Sequence, residues 1–461
     1  MTADPTAYAD LDRWAVLARK AMKGAPLEGL TRLDGDSLGI APLYTDQAAD
    51  ILSVGRQSGV DGRPWDLRAL VESDSPAEAN AAALEALSGG AASIVLAGDG
   101  FTDPDAMARV LEGVALELAP VALDAGPVGA AAAGALAVAA KGSPRARLAF
   151  HLDPVSAFAR SGGASRSIEA EVAQAAATAA RHADPYPAAS LFLASGRVAH
   201  EAGGTIGQEL GFALASAATW LRAGAEAGLA VERVLAGTVL GLSLDAEYLD
   251  GVAKVRAARL MWRSFARAAG AGTAAAIEAR SSHRMLGARD PWPNLLRLTA
   301  AGFAGAVGGA DAVILEGFTA ARGVPDGFAQ RLARNTQLVL MEEAHLGRVA
   351  DPAAGSWFLD ARTRDLAQAG WAEFQRIEAE GGLVAAVKAG ALQSRVATAR
   401  AAVETTFAEG GKSLIGVNRF IDPDPRPAEA APRTDPAVSH GDACEPLKPV
   451  RWAASFEEAA A

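Results

Sequence analysis

The chain has 461 residues, of which 50% are hydrophobic and 21% charged, a composition typical of a globular protein rather than a disordered or fibrous one. Its 43 Lys and Arg residues against 54 Asp and Glu residues give a net charge of −11, which argues against nucleic acid as the main partner. The length would suit two to four domains of ~100–200 residues, although a single α/β barrel can exceed ~200 residues.

Cys444 is the single cysteine of the sequence, so it cannot form an internal disulfide, and zinc sites that need paired cysteines are excluded. We therefore expect a reducing, cytoplasmic location. Three aspartates among the first twelve residues argue against a signal peptide. The longest uncharged stretch, 125–140, is shorter than the ~20 residues of a membrane helix, so we expect no membrane span.

Residues 1–75 combine a predicted helix over 8–22 with irregular sequence that contains glycine and proline. We interpret this region as an N-terminal arm that packs on this chain or on another. Directly after it, Ser75, Pro76 and Glu78 have the spacing of a capping box, which predicts the start of a helix. Asp103-Pro104 repeats the same device further on.

From residue 90 onward, short runs rich in Val, Ile and Leu alternate with longer segments of helical period, as in repeated βα units with a parallel sheet. The predicted strands are 93–97, 120–124, 148–152, 190–194, 237–243, 274–279, 311–316 and 347–350. Eight such units predict an α/β fold of the (β/α)8 TIM-barrel type over residues 76–421, with functional loops at the carboxyl ends of the strands.

The last region, 422–461, differs in composition. Residues 422–449 hold seven of the 23 prolines, which predicts an extended and poorly ordered segment. We interpret the region as a short Pro-rich tail, the remnant of a linker to a further domain.

The sequence contains only weak matches to short nucleotide-binding and metal-binding motifs. The segment 410–413, Gly-Gly-Lys-Ser, ends like a phosphate loop, but Thr406 stands where that loop requires its first glycine. His200-Glu201 is not followed by the second histidine of a zinc-protease helix. The glycines Gly302, Gly305 and Gly308 are better explained by close helix packing. We therefore predict no nucleotide site and no metal site.

Longer and more specific segments occur in a fixed order. They are Gly62-Arg63-Pro64-Trp65-Asp66-Leu67-Arg68, Ser195-Gly196 with His200-Glu201-Ala202-Gly203 and Gln208-Glu209-Leu210, Ala253-Lys254-Val255-Arg256-Ala257-Ala258-Arg259-Leu260-Met261-Trp262, Asp290-Pro291-Trp292-Pro293-Asn294, Arg334-Asn335-Thr336-Gln337 and Asp351-Pro352-Ala353-Ala354-Gly355-Ser356. Together they closely resemble the acyl-CoA-binding barrel domain of methylmalonyl-CoA mutases over about residues 10–420. The segments 198–203 and 283–358 look like the small, non-catalytic subunit of the heterodimeric bacterial enzymes.

This resemblance implies a chemistry. Members of the family interconvert methylmalonyl-CoA and succinyl-CoA by radical chemistry that adenosylcobalamin starts. Their barrel opens around the thin CoA arm, and a C-terminal flavodoxin-like domain holds the corrinoid through a histidine in an Asp-x-His-x-x-Gly motif. That motif does not occur in this sequence. We therefore expect the chain itself to bind no cofactor and adenosylcobalamin to reside on a partner subunit.

The positions that the family uses for catalysis are replaced. A tyrosine of the catalytic subunits falls on Leu70, and the tyrosine and histidine of their Ser-Gly-Tyr-His motif fall on Arg197 and Val198. Their Arg-Leu-Ser strand falls on residues 237–239, and a glutamine falls on Arg289. The resemblance thus implies that this chain has no catalytic residue and is inactive alone.

Four residues are candidates for residual ligand contacts. Arg63 and Arg68 are able to meet a phosphate or carboxylate, but salt bridges within the arm explain them equally well. A structural hydrogen bond explains His200 better than a ligand contact does. Glu201 has both family precedent and a plain explanation as a satisfied carboxylate near a helix start.

Three hypotheses follow. The leading one is a non-catalytic barrel subunit whose N-terminal arm wraps the catalytic large subunit of a cobalamin-dependent acyl-CoA mutase, in a heterodimer that isomerises methylmalonyl-CoA. The alternative is a catalytic barrel that binds an acyl-CoA and uses a cobalamin domain supplied by another chain. The third is a free-standing barrel of unrelated chemistry, for which the candidate polar residues are Asp153, Ser195, Asp245 and Glu316.

Overall fold

The computed structural model of the protein describes residues 11–45, 52–56, 62–73, 75–143, 145–433 and 441–458. Eight parallel strands close into a barrel in the order β10-β3-β4-β5-β6-β7-β8-β9. These strands are β3 Asp66–Glu72, β4 Ser93–Ala97, β5 Val121–Asp124, β6 Leu148–Leu152, β7 Ser190–Ser195, β8 Thr238–Leu244, β9 Ala276–Ser281 and β10 Ala312–Ile314. The predicted (β/α)8 fold is confirmed.

Helices surround the barrel. In chain order they are α1 Leu11–Ala21, α2 Pro76–Ser88, α3 Pro104–Val110, α4 Gly129–Ala139, α5 Pro154–Ser161, α6 Ile168–Ala183, α7 Arg197–Glu201, α8 Ile206–Glu226, α9 Val231–Ala236, α10 Tyr248–Ala268, α11 Asn294–Gly308, α12 Gly327–Leu338, α13 Trp357–Ala379, α14 Leu383–Lys388, α15 Ala391–Ala408 and α16 Ala454–Glu458. Two short antiparallel pairs, β1 Arg32–Leu33 with β2 Gly39–Ile40 and β11 Val324–Pro325 with β12 Ala430–Ala431, complete the fold. Across the described ranges, no helix is long and apolar enough to cross a membrane.

The predicted helix starts are confirmed at both proline-containing sites. The Ser75 hydroxyl accepts from the Glu78 backbone N–H and begins α2, and the Asp103 carboxylate accepts from the Ala106 N–H at the start of α3. The glycines of α11 also pack as predicted. A Cβ atom at Gly305 would lie 2.8 Å from the Leu244 side chain, so the helix needs glycine there to approach the barrel.

Seven predicted strands are confirmed, but the eighth, 347–350, is wrong, because these residues form turns and bends before α13. The missing strand is β3, which lies inside the segment 1–75 that we assigned to an arm. Leu67 and Val71 of β3 are buried against the outer helices, whereas Arg68 and Leu70 point into the barrel. An inward-facing arginine interrupts the apolar run, and for that reason the sequence pattern concealed the strand.

The C-terminal tail is more firmly packed than its proline content predicts. Its described residues, 422–433 and 441–458, supply β12 to the pair with β11, and the Leu447 backbone N–H donates to the Ala159 carbonyl at 2.7 Å. Leu447 and Ala453 are buried. The expectation of a poorly ordered segment is therefore wrong for 441–449, since an extended chain without a helix or strand of its own still satisfies its backbone groups on the barrel. Residues 434–440 lie outside the described part.

Candidate functional site along the barrel axis

Side chains that point into the barrel form three layers along its axis. A polar group centred on Arg68 and Glu278, called here the lower cluster, comprises Asp66, Arg68, Ser93, His151 and Glu278, and His151 reaches it from the carboxyl half of β6. An apolar layer follows, made of Leu70, Val95, Ala122, Ala149 and Ile314. A second polar group lies at the carboxyl ends of the strands and is called the mouth; it comprises Glu72, Asp124, Arg197, Arg280, Glu316 and Arg433. Barrel enzymes place their active sites at the mouth.

In the lower cluster, Arg68 is held by protein partners. Its guanidinium donates to Ser93 Oγ at 2.9 Å, to Glu278 Oε2 at 2.5 Å and to Asp66 Oδ2 at 2.8 Å. Burial lowers the pKa of Arg68, but the two carboxylates outweigh burial and raise that pKa above its ordinary range. Arg68 therefore stays charged and acts as the centre of an internal ion-pair network.

His151 completes the lower cluster. Its side chain is 1% exposed, and Nδ1 lies 4.0 Å from Glu278 Oε2, too far for a hydrogen bond. Burial lowers its pKa, so the imidazole is neutral at pH 7. The residue has a φ of +45°, which is strained for a non-glycine residue.

The apolar layer closes the axis. Val95, Ala122 and Ile314 are each 1% exposed and pack against one another and Leu70. A cavity of about 540 Å³ enters from the amino-terminal end of the barrel and reaches His151 and Glu278. Of the apolar layer, its lining includes Ala149 alone. None of the mouth residues lines this cavity, so it does not open to the mouth.

The mouth is crossed by ion pairs. Arg280 Nε donates to Glu316 Oε1 and Arg280 NH1 donates to Asp124 Oδ2, both at 2.9 Å. Arg433, from the C-terminal tail, donates to both oxygens of Glu72 at 2.8 and 3.0 Å. Burial alone would raise the pKa of Glu316, but Arg280 lowers it well below the ordinary range. Arginine charges also lower the pKa of Asp124, so Glu316 and Asp124 are ionised and cannot act as general acids at neutral pH.

The residues that stand at the family's catalytic positions lie in three different environments. Leu70 belongs to the apolar layer, and Val198 is 8% exposed and packs in the outer core. Arg197 begins α7 directly after β7, where the charges of Arg280, Asp124 and Glu316 act on it. Leu70 and Val198 carry no hydrogen-bonding group, so neither can donate to a thioester carbonyl.

His200 and Glu201 are engaged with the protein. His200 is fully buried, with Nδ1 2.9 Å from Glu209 Oε2 and Nε2 3.0 Å from Ser282 Oγ. Glu201 accepts from the Ser243 hydroxyl at 2.9 Å and from the backbone N–H groups of residues 283 and 284. Both side chains hold neighbouring loops together, and a ligand would have to displace those contacts.

The remaining candidates are also bonded to protein. Arg63 is on the amino-terminal side and donates to the Gly90 carbonyl at 2.7 Å, so the structure does not bring it together with His200 or Glu201. Asp245 pairs with Arg284 at 2.8 Å. Asp153 caps α5, and burial raises its pKa to about 7. The structure does not bring these residues together as a catalytic constellation.

Sequence reasoning missed the charges that fill the barrel. Glu278 and Arg280 alternate within β9, and Asp124 ends β5. A usable signal was present, because charged residues at every second position of an otherwise apolar strand predict one face turned to a polar interior. Their ion-pair partners could not be predicted from the sequence, since Asp124 and Arg280 are 156 residues apart.

The sequence segments that carry the family resemblance contact one another. Trp65 Nε1 donates to Gln337 Oε1 at 3.1 Å, and Lys254 donates to Glu209 Oε2 at 2.7 Å. Arg256 pairs with Asp351 and, at 2.8 Å, with Asp360. These contacts join outer helices to one another and to loops, so the segments that carry the resemblance build the scaffold.

A sequence model of the methylmalonyl-CoA mutase family matches residues 102–460. The chain belongs to the methylmalonyl-CoA mutase family. It is 37% identical over 445 residues to the methylmalonyl-CoA mutase small subunit of Streptomyces virginiae, an alignment that covers 91% of this chain and 71% of that protein. The resemblance predicted from the motifs is confirmed.

Two further relatives in this mutase family show how alignment coverage differs between small and large subunits. A probable methylmalonyl-CoA mutase small subunit of Mycobacterium bovis is 37% identical over 394 residues, covering 83% of this chain and 61% of its own length. The methylmalonyl-CoA mutase large subunit of Streptomyces virginiae is 32% identical over 235 residues, which are 50% of this chain and 32% of that subunit. The chain thus spans 61–71% of these two small subunits and aligns with them over more of its length than with the large subunit.

Proposed function

We propose that this chain is the small, non-catalytic barrel subunit of a methylmalonyl-CoA mutase and that it pairs with a larger catalytic subunit in a heterodimer. The observation that carries this proposal is the filled axis. Leu70, Val95 and Ile314 occupy the space that a CoA arm would need, and the Arg68 network occupies the space below them. A reactive acyl group could not be carried through this barrel to its mouth.

Adenosylcobalamin supplies the radical in this family, and we propose that the partner subunit holds it. The residues of the present mouth do not fit that chemistry. Leu70 and Val198 are apolar where the family has a tyrosine and a histidine, and Arg280 is engaged there by Asp124 and Glu316. We therefore derive no catalytic step for this chain. A cytoplasmic location stays a prediction.

The N-terminal arm is the proposed contact to the partner. It is anchored on the barrel by an ion pair between Asp34 and Arg362 and by the Gly207 N–H, which donates to Asp36 at 3.0 Å. Beyond these anchors, helix α1 has no buried residue, and its Val16 and Leu17 are 62% and 57% exposed. An amphipathic helix with an uncovered apolar face is suited to packing on another protein.

The test is reconstitution. The purified chain is mixed with the large subunit, and the mixture is analysed by size-exclusion chromatography and by a methylmalonyl-CoA isomerisation assay. We expect co-elution at one-to-one stoichiometry, activity in the mixture and none in this chain alone. Separate elution of the two proteins would contradict the proposal.

The catalytic alternative is tested on the isolated chain. Calorimetric titration with succinyl-CoA should give no saturable heat, because the axis is closed. Saturable binding that is lost in Arg68→Ala would instead favour an acyl-CoA-binding barrel that borrows a cobalamin domain. Binding unaffected by that substitution would place the ligand elsewhere and leave the closed axis intact.

A further inference from the structure

Among the residues that the structure describes, Arg197 is the arginine of the mouth whose guanidinium has no hydrogen-bond partner. The other two arginines there have carboxylate partners, because Arg280 donates to Asp124 and Glu316, and Arg433 donates to both oxygens of Glu72. Within the part of the chain that the structure describes, the Arg197 guanidinium makes no hydrogen bond, and its Nε atom is buried without an acceptor. The Nε–H is one of the five donors of a guanidinium, and leaving a buried donor without an acceptor is costly.

The charges around Arg197 limit the kind of anion that the mouth can accept. Three carboxylates of the mouth, Glu72, Asp124 and Glu316, face three arginines. Arg160, on the exposed side of α5, adds a further positive charge that acts on Asp124. Glu201 also acts on Arg197, so four carboxylates face four arginines and the group carries no net charge. A single anionic charge would therefore meet less repulsion from the carboxylates than a dianion would.

Arg197 itself lies where burial lowers its pKa, and the neighbouring charge of Arg280 lowers it further. The charge of an anion bound against the guanidinium would oppose both effects. The mouth is also reachable from solvent, since the Asp124 side chain is 41% exposed and the His283 side chain 26% exposed. A small solute can therefore enter without opening the barrel.

We propose that the mouth binds a short monocarboxylate, with Arg197 as the residue that recognises it. The planar carboxylate group matches the two-donor fork of a guanidinium and carries one charge. The family's catalytic subunits have a tyrosine at this position, so the site is a property of this chain and not a remnant of the mutase site. It does not depend on the pairing proposed above, because each of its groups belongs to this chain.

The experiment uses the complete chain and sodium propionate as the probe. Calorimetric titration at constant ionic strength should show saturable binding by the unmodified protein. Arg197→Gln should weaken the affinity by about tenfold or more, the loss expected for a charge-assisted pair. Arg145→Gln is the matched control, since the Arg145 side chain is 83% exposed and pairs with Glu117 on the surface; it should bind as the unmodified protein does.

Thermal unfolding gives a second readout that does not require binding heat. In buffer without carboxylate, Arg197→Gln should raise the melting temperature, because it removes an unpaired guanidinium. Propionate should raise the melting temperature of the unmodified protein and not that of the variant. Arg197→Lys keeps the charge but not the fork and should bind more weakly than the unmodified protein.

Three results would overturn the proposal. One is the absence of saturable propionate binding by the unmodified chain. Another is equal affinity in Arg197→Gln. The third is tighter binding of inorganic phosphate than of propionate, which would show that charge alone, and not a carboxylate fork, is recognised.

Discussion

Lys254 donates to the Glu209 carboxylate across 2.7 Å at a site where the two side chains are 3% and 0% exposed. The same carboxylate accepts from the Ser243 backbone N–H and lies 2.9 Å from His200 Nδ1. Glu209 therefore joins α8 to α10, to β8 and to the short helix α7. Burial would raise the pKa of Glu209, but Lys254 and His200 lower it to about 2. This carboxylate is a structural hub and remains ionised in the folded protein.

The first prediction concerns that buried pair. Lys254→Met keeps the volume of the side chain but leaves the Glu209 charge without its cation, so the free energy of unfolding should fall by about 3–5 kcal/mol. Urea denaturation measures the loss. Lys412→Met is the control, because Lys412 pairs with Glu247 on the surface and its removal should not change stability measurably. A loss below about 1 kcal/mol for Lys254→Met would show that Glu209 finds other compensation.

The second prediction is a pH dependence. Burial lowers the pKa of His200 below its ordinary 6.5, and the charge of Arg284 lowers it further. The unfolded chain therefore binds more protons here than the folded chain as the pH falls below 6.5. The stability contributed by neutral His200 is complete above pH 6.5 and is lost at up to about 1.4 kcal/mol per pH unit below it.

This pH dependence is checked with a variant that cannot titrate. His200→Gln keeps hydrogen-bonding capacity, and its free energy of unfolding should vary less steeply between pH 6.5 and 5 than that of the unmodified protein. The residual slope comes from His151 and His182, whose pKa values burial also lowers. Exposed His345 serves for comparison as His345→Asn, which should leave the slope as it is. Identical slopes in His200→Gln and the unmodified protein would contradict the assignment.

The third prediction addresses the apolar layer that closes the axis. Ile314 is 1% exposed and packs against Val95 and Ala149, so Ile314→Ala should cost about 2–5 kcal/mol through lost contacts and a cavity. Leu296→Ala, at a side chain that is 76% exposed, should change stability by less than about 0.5 kcal/mol. Denaturant titration of both variants distinguishes the cases. Equal small effects would mean that the layer is loosely packed.

The fourth prediction rests on the proposed pairing. The double variant Val16→Asp with Leu17→Asp places two charges on the exposed apolar face of α1, and we expect it to weaken binding to the catalytic subunit by about tenfold or more. Leu118→Asp is the matched control, since Leu118 is 76% exposed at the amino-terminal end of the barrel. Analytical ultracentrifugation of each variant with the partner measures the effect. Undiminished binding by the double variant would remove α1 from the interface.

The sequence by itself determined the repeating part of this protein. Continuous apolar runs such as Ser93–Ala97 and Leu148–Leu152 are buried on both faces of a parallel barrel, and that burial makes them readable without tertiary information. The caps at Ser75 and Asp103 are equally local, because each involves backbone groups three residues away. Family membership could also be recognised from the sequence, because it rests on segments that occur in a fixed order along the chain.

Tertiary structure alone decided how charges are distributed along the axis. Asp66–Glu72 can lie in the barrel because its inward-facing Arg68 pairs with Glu278, which belongs to a strand 210 residues away. No local sequence pattern indicates that partner. The packing of the tail, the pairing of Asp124 with Arg280 and the absence of a described partner for Arg197 have the same origin. A buried charge is tolerated or costly according to what stands within about 4 Å of it, and barrel closure, not sequence proximity, sets that distance.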